Sequence, residues 1–202
     1  MLRALLLIFD PTNSWGKIET AKPSVAHVFF TYILPIMLLS FALEAWLLLR
    51  FGIERGHLAD RLAPVSQELV IRYEVAQFAL GLVVCFLGAF LVQILSQSFH
   101  RRHTYSDSFA TLCYSLGPYF LCRILDGWPV INTWVAWAIG AVLAISLLYR
   151  GLPRVLKPDP SNALGVYLMC SMVVLVLTAI SHYFAALILN EKIFRSGFSL
   201  PA

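Results

Sequence analysis

Long apolar runs, separated by short polar connections, organise the chain. They lie at about 25–49, 75–97, 108–125, 130–149 and 164–189. Each approaches the roughly 20 mostly apolar residues that a helix needs to cross a bilayer. The first stops at Leu47-Leu48-Leu49 before Arg50, and the second is continuous from Val75 past Leu95. The third is the shortest and holds Pro118. The pattern predicts an all-α polytopic membrane protein, a bundle of five transmembrane helices forming a single domain over residues 1–202.

Residues 2–9 carry a short apolar stretch, Leu5-Leu6-Leu7-Ile8-Phe9, after Arg3. It is too short for a cleavable signal peptide, and no small-residue cleavage site follows. It is read as a short interfacial helix ended by Asp10-Pro11, with Trp15 and Lys17 at headgroup level. The longest connection, 50–74, holds Pro64, which suits the first turn of a helix. Val65, Leu69 and Ile71 then lead into the second run without a breaker, so that helix is expected to begin near Pro64 and to project from the bilayer.

Composition agrees with the pattern. Hydrophobic residues make up 59% and charged residues 13%, against about 45–50% and 25% in globular domains. Mean hydropathy is +0.77. Intrinsic disorder, a water-soluble enzyme and a disulfide-stapled secreted module are excluded. Cys85, Cys113, Cys122 and Cys170 all sit in apolar runs and form no CxxC, which suits reduced, small packing residues.

Charge sets an orientation. Eight cations lie on the N-terminal side of the runs (Arg3, Lys17, Lys22, Arg101, Arg102, Arg150, Arg154, Lys157) and seven on the other side. Four of those seven lie in 50–74, among Glu54, Asp60, Glu68 and Glu74. The short connections at His100-Arg101-Arg102-His103 and from Arg150 to Lys157 are nearly uncompensated. Cytoplasmic connections are the basic ones, so the N-terminus is expected inside and the C-terminus outside. Arg101, Arg102, Arg150, Arg154 and Lys157 are then expected to bind lipid headgroups.

Small residues recur every fourth position, at Gly81, Cys85 and Ala89 in the second run and at Ala136, Gly140 and Ala144 in the fourth. That register lets helix backbones approach closely, and internal packing is the expected use. Pro35 and Pro118 free backbone carbonyls and are expected to kink their helices.

Catalytic signatures are missing: the chain has no GxSxG, HExxH, P-loop or GxGxxG. His100-x-x-His103 has two arginines between its imidazoles, which oppose a divalent metal. No catalytic residue, metal or cofactor is expected. The informative residues are ionisable ones inside apolar runs, which are costly there unless they face protein or water. Glu44, Arg123 and His182 each fall in the last third of a run, and the three runs share one direction. They are expected to form a polar intramembrane layer at one depth near the outer surface, with Asn132 at the start of the fourth run. An ion pair that fixes the bundle is the plainer use of such a layer, and a substrate or ion site the other.

Phe9-Asp10-Pro11 followed by Trp15 and Ile18, Ala110-x-x-x-Tyr114-x-x-x-Pro118, and Tyr149-x-Gly151-Leu152 before a final apolar run resemble the Yip (Ypt/Rab-interacting protein) five-pass membrane family. The likeness spans roughly residues 9–190. It implies a five-helix bundle with a cytosolic N-terminus. Eukaryotic members carry a long hydrophilic N-terminal region and an Asp-Leu-Tyr-Gly-Pro motif, and are linked to Rab GTPases. This chain shows neither feature, which points to a prokaryotic branch in the cell (inner) membrane, with the C-terminus periplasmic or extracellular. The family supplies no catalytic residues to carry over.

Two functions follow as expectations. The first is a non-enzymatic scaffold or organiser that binds partner proteins or lipids through its basic inner connections. The second is a small transporter or channel for an ion, lipid or small molecule, using the outer polar layer. Membrane lipids are the expected partners, with a protein partner or a homo-oligomer beside them, and no nucleic acid.

Overall fold

The computed structural model describes residues 11–54, 62–63, 65–98, 104–157 and 162–189. The interfacial helix expected at 2–9 therefore lies outside the described residues, as do Arg101 and Arg102. Helix α1 (Pro11–Ala21) precedes α2 (Val25–Phe51), α3 (Gln67–Ser98), α4 (Tyr105–Cys122), α5 (Thr133–Val155) and α6 (Ala163–Leu189). A 3-10 turn, Arg123–Gly127, follows α4. Among the described residues the fold is all-α except for one two-residue antiparallel ladder, Ile53–Glu54 with Leu62–Ala63, in the connection between α2 and α3. Among the described residues four helices, α2, α3, α5 and α6, are long and apolar enough to cross a membrane. Exposed apolar side chains such as Phe30, Leu38, Trp46, Val75, Val142 and Met172 line their outer faces. An apolar surface of that extent needs lipid rather than water around it. The chain is a polytopic membrane protein.

Among the described residues the chain opens on α1, which runs from Pro11 to Ala21. Proline is tolerated in a first turn because its missing N–H would have no intrahelical partner there. The stop comes at Lys22-Pro23. Lys22 takes a left-handed φ of 40°, and its N–H reaches back to the Ile18 carbonyl at 3.2 Å. The Trp15 side chain is fully buried within the protein.

The other boundaries have local causes. Helix α3 starts at Gln67, three residues past Pro64, where the Ser66 hydroxyl accepts from Leu69 N–H at 3.3 Å and the Ser66 carbonyl accepts from Val70 N–H at 3.1 Å. Thr104 and Asp107 form a capping box at the start of α4, so that helix begins before the apolar run at 108. Asn132 caps α5 by accepting from Trp134 N–H at 2.9 Å. The Pro35 interruption is accommodated by a π-helical stretch, Phe29–Ile33, within α2.

Helix α4 is the centre of the bundle. Every residue from 108 to 120 is buried. That explains its polar content: Ser108, Thr111 and Ser115 face protein instead of lipid. The Thr111 and Ser115 hydroxyls donate to the carbonyls of Asp107 and Thr111, each at 2.8 Å. The small-residue stripes pack inward against α4. A Cβ on Gly81 would meet Phe120 at 3.2 Å, and one on Gly140 would meet the Tyr119 backbone at 3.1 Å. Cys85, Cys113 and Cys170 are free and buried, and Cys122 is free and half-buried.

Pro118 shows how the core absorbs a broken helical ladder. Without its N–H, the Tyr114 carbonyl one turn earlier loses its normal donor. The Tyr32 hydroxyl from α2 donates to that carbonyl at 3.2 Å. Gly117 makes room, since a Cβ there would fall on the Tyr32 hydroxyl. Tyr32→Phe leaves the buried carbonyl without a donor and is expected to cost about 1–3 kcal/mol. In a Pro118→Ala background the restored N–H can serve Tyr114, and the same change should cost much less. Thermal unfolding in detergent checks both, and an equal loss in the two backgrounds would refute this account of the kink.

Candidate functional site

Two ends of the bundle carry chemistry. At the end where α2 and α4 finish, Glu44, Tyr73, Gln77, Tyr119, Arg123, Asp126 and His182 are buried together. Glu44 is fully buried on α2, with its Oε2 3.6 Å from Arg123 Nε. Its Oε1 accepts from the Tyr73 hydroxyl at 2.8 Å and from Gln77 Nε2 at 3.3 Å. Arg123 Nη1 donates to the Tyr119 hydroxyl at 3.3 Å and Nη2 to the Tyr73 hydroxyl at 3.5 Å. The same Nη2 lies 3.4 Å from Asp126 Oδ2. His182 Nδ1, on α6, is 4.0 Å from that oxygen. The His182 ring also meets Trp134 edge-on, with centroids 4.8 Å apart.

The structure thus brings three of the four expected layer residues together. Asn132 is the exception: it is exposed, and its side chain caps α5. Tyr73 and Gln77 were not foreseen, although they extend the Gly81, Cys85, Ala89 stripe by two further steps of four along α3. The 3-10 turn after α4 places Asp126 three residues beyond Arg123 and beside it.

A cavity of about 250 Å3 opens beside this layer. Its walls include Tyr73, Asp126 and His182, with Trp128, Asn132 and Trp134 nearer the exposed surface. Among the described residues, Asp126 Oδ1 and both ring nitrogens of His182 are buried without a hydrogen-bond partner. Buried polar atoms of that kind are uncommon, because leaving one unpaired costs free energy.

The opposite end is basic. Helix α1 is fastened to the end of α5, with the Trp15 indole lying against Gly151, where any Cβ would collide with its ring. The same indole meets Tyr114 edge-on at 6.4 Å, and Tyr114 meets Tyr32 at 4.5 Å. Lys157 Nζ reaches Glu19 Oε1 at 2.6 Å. The hydrogen bond and charge of Lys157 hold the Glu19 carboxyl below the usual carboxylate range. The clasp is therefore present at neutral pH and is lost as acid titrates the carboxylate through that lowered value. Lys17, Lys22 and Arg150 are exposed at this end, and Arg154 is half-buried near Gly16. A second cavity of about 220 Å3 lies under α1, between Lys22, Asp107 and Lys157. Among the described residues no group of three or more His, Cys, Asp or Glu side chains could hold a metal ion.

A helical bundle with an apolar belt, a buried ionic layer and a basic end defines a multi-pass integral membrane protein. The family model of the Yip1 domain matches residues 5–181, and the chain belongs to that family. Its members are in general non-enzymatic membrane proteins. No curated protein and no solved structure matches.

Proposed function

We propose that this protein is a membrane scaffold that binds anionic lipid, and partner proteins recruited with it, at its basic end. In this reading the bundle crosses the membrane five times, with α4 as a pass shielded by the other helices. The N-terminus and the connections around Arg101 and Arg154 face the cytoplasm of a prokaryotic cell, and the membrane is the inner one. The supporting observation is the fastening of α1 across the end of α5. The Trp15–Gly151 contact and the Glu19–Lys157 pair hold this helix over the basic connection. Lys17, Lys22 and Arg150 are left exposed around it. Each cation near an anionic leaflet contributes about 1 kcal/mol. Replacing Arg101, Arg102, Arg150, Arg154 and Lys157 together by Gln is expected to lower retained phosphatidylglycerol and cardiolipin several-fold in native mass spectrometry. Unchanged retention would contradict the scaffold reading and leave these residues as orientation signals.

A second reading rests on a separate observation, the cavity that joins the buried ionic layer to the surface at the other end. Such a cavity suits a small transporter or channel for an ion, lipid or small molecule.

A further inference from the structure

We propose that the outer cavity binds a small organic ammonium group. The inference rests on the second reading above, that the cavity is a water-accessible site, and it assigns the class of ligand.

Charge selects the sign. The carboxylates of Glu44 and Asp126 both lie within ion-pair distance of the one Arg123 guanidinium, at 3.6 and 3.4 Å. Carboxylates outnumber the guanidinium, so the floor of the cavity favours a cation over an anion. Among the described residues Asp126 Oδ1, in the cavity wall, is buried without a hydrogen-bond partner. An ammonium N–H donates to such an oxygen directly, and His182 in its neutral form offers a further acceptor nitrogen.

Size and walls select the kind of cation. A water molecule takes about 30 Å3 of liquid, so 250 Å3 admits a group of several heavy atoms. Trp128 and Trp134 stand at its walls. Aromatic faces attract organic cations, which shed water at less cost than a compact metal ion. No described cluster offers three metal-ligating side chains. The chemistry shared by these features is that of ethanolamine, supplied either as a free amine or as the headgroup of phosphatidylethanolamine.

The test uses the full chain in neutral detergent with a cysteine at Thr133, a lining residue. Two methanethiosulfonate reagents are compared, one bearing ethylammonium and one ethylsulfonate, with the unsubstituted protein as background. Reaction with neither would overturn the cavity reading, and the inference with it. An ammonium-to-sulfonate rate ratio about tenfold above that at Gln67→Cys, exposed at the same end, is expected of a negatively charged cleft. A ratio at or below that reference would overturn the ammonium inference alone. Millimolar ethanolamine should slow the labelling of Thr133→Cys, and ethylene glycol, its neutral analogue, should not. Asp126→Asn should abolish this protection. Trp134→Leu, a milder change at the wall, should weaken it several-fold. Equal protection by ethylene glycol, or full protection in both variants, would overturn the proposal. Nanodiscs of phosphatidylethanolamine and of phosphatidylglycerol then separate the sources. Protection by the former lipid supports a headgroup ligand, and protection by free ethanolamine alone supports a soluble amine. Protection by none of these probes counts against the site.

Discussion

Arg123→Gln is expected to destabilise the bundle by about 3–5 kcal/mol, because it leaves buried carboxylates without their cation. Glu44 and Asp126 both lie within ion-pair distance of that one guanidinium, at 3.6 and 3.4 Å. Glu44→Gln should cost less, since Arg123 keeps Asp126 and the amide can still accept from Tyr73. The double variant should cost less than the sum of the two single changes, as contacting charged groups are not additive. Thermal and denaturant unfolding in detergent, run as a double-mutant cycle, measures the coupling. Strictly additive losses would remove the ionic layer from the account of stability.

The second large effect concerns the attachment of α1. Trp15 is fully buried, and Trp→Ala changes in such sites cost about 3–5 kcal/mol. Gly151→Val should be comparably damaging, because its side chain occupies the place of the indole ring and a rigid bicycle cannot yield. In a Trp15→Ala background the ring is gone, and Gly151→Val should then be much milder. Hydrogen exchange of residues 11–21 reports the attachment directly. Protection that persists in Gly151→Val would show that the glycine is not the seat of the helix.

Much of this fold was legible because lipid exposure forces apolar residues outward. Helix α6 was expected at 164–189 and runs over Ala163–Leu189. The apolar run fixed its limits, because little else in that segment competes. Helix α4 was harder to read. Its run at about 108–125 is the shortest of the five. It is not among the four described helices long and apolar enough to cross a membrane, because it lies at the centre and its Tyr and Ser residues face protein. The 3-10 turn that follows it set Asp126 beside Arg123, a geometry that residue spacing alone does not specify. The helix from Pro11 was not foreseen, because its one fully buried anchor, Trp15, packs on Gly151, more than 130 residues away.

The buried layer was partly legible for a related reason. Glu44, Arg123 and His182 stand out because a charge in an apolar run is costly. Tyr73 and Gln77 do not stand out, since both are ordinary near the end of a membrane helix. Their register with Gly81 and Cys85 was the available signal, because every fourth position of α3 faces the same neighbours. Glu74, next to Tyr73 on α3, adds a carboxyl whose two oxygens are buried without a hydrogen-bond partner among the described residues.

Both functional proposals depend on which end of the bundle faces the cytoplasm. Basic connections belong inside, so Thr104, at the start of α4, should be cytoplasmic and Gln67, at the start of α3, external. Single cysteines at these two positions, in intact cells treated with a membrane-impermeant maleimide, give the most direct measurement. Gln67→Cys is expected to label at once and Thr104→Cys only after permeabilisation. Immediate labelling of Thr104→Cys, with Gln67→Cys protected, would contradict the account.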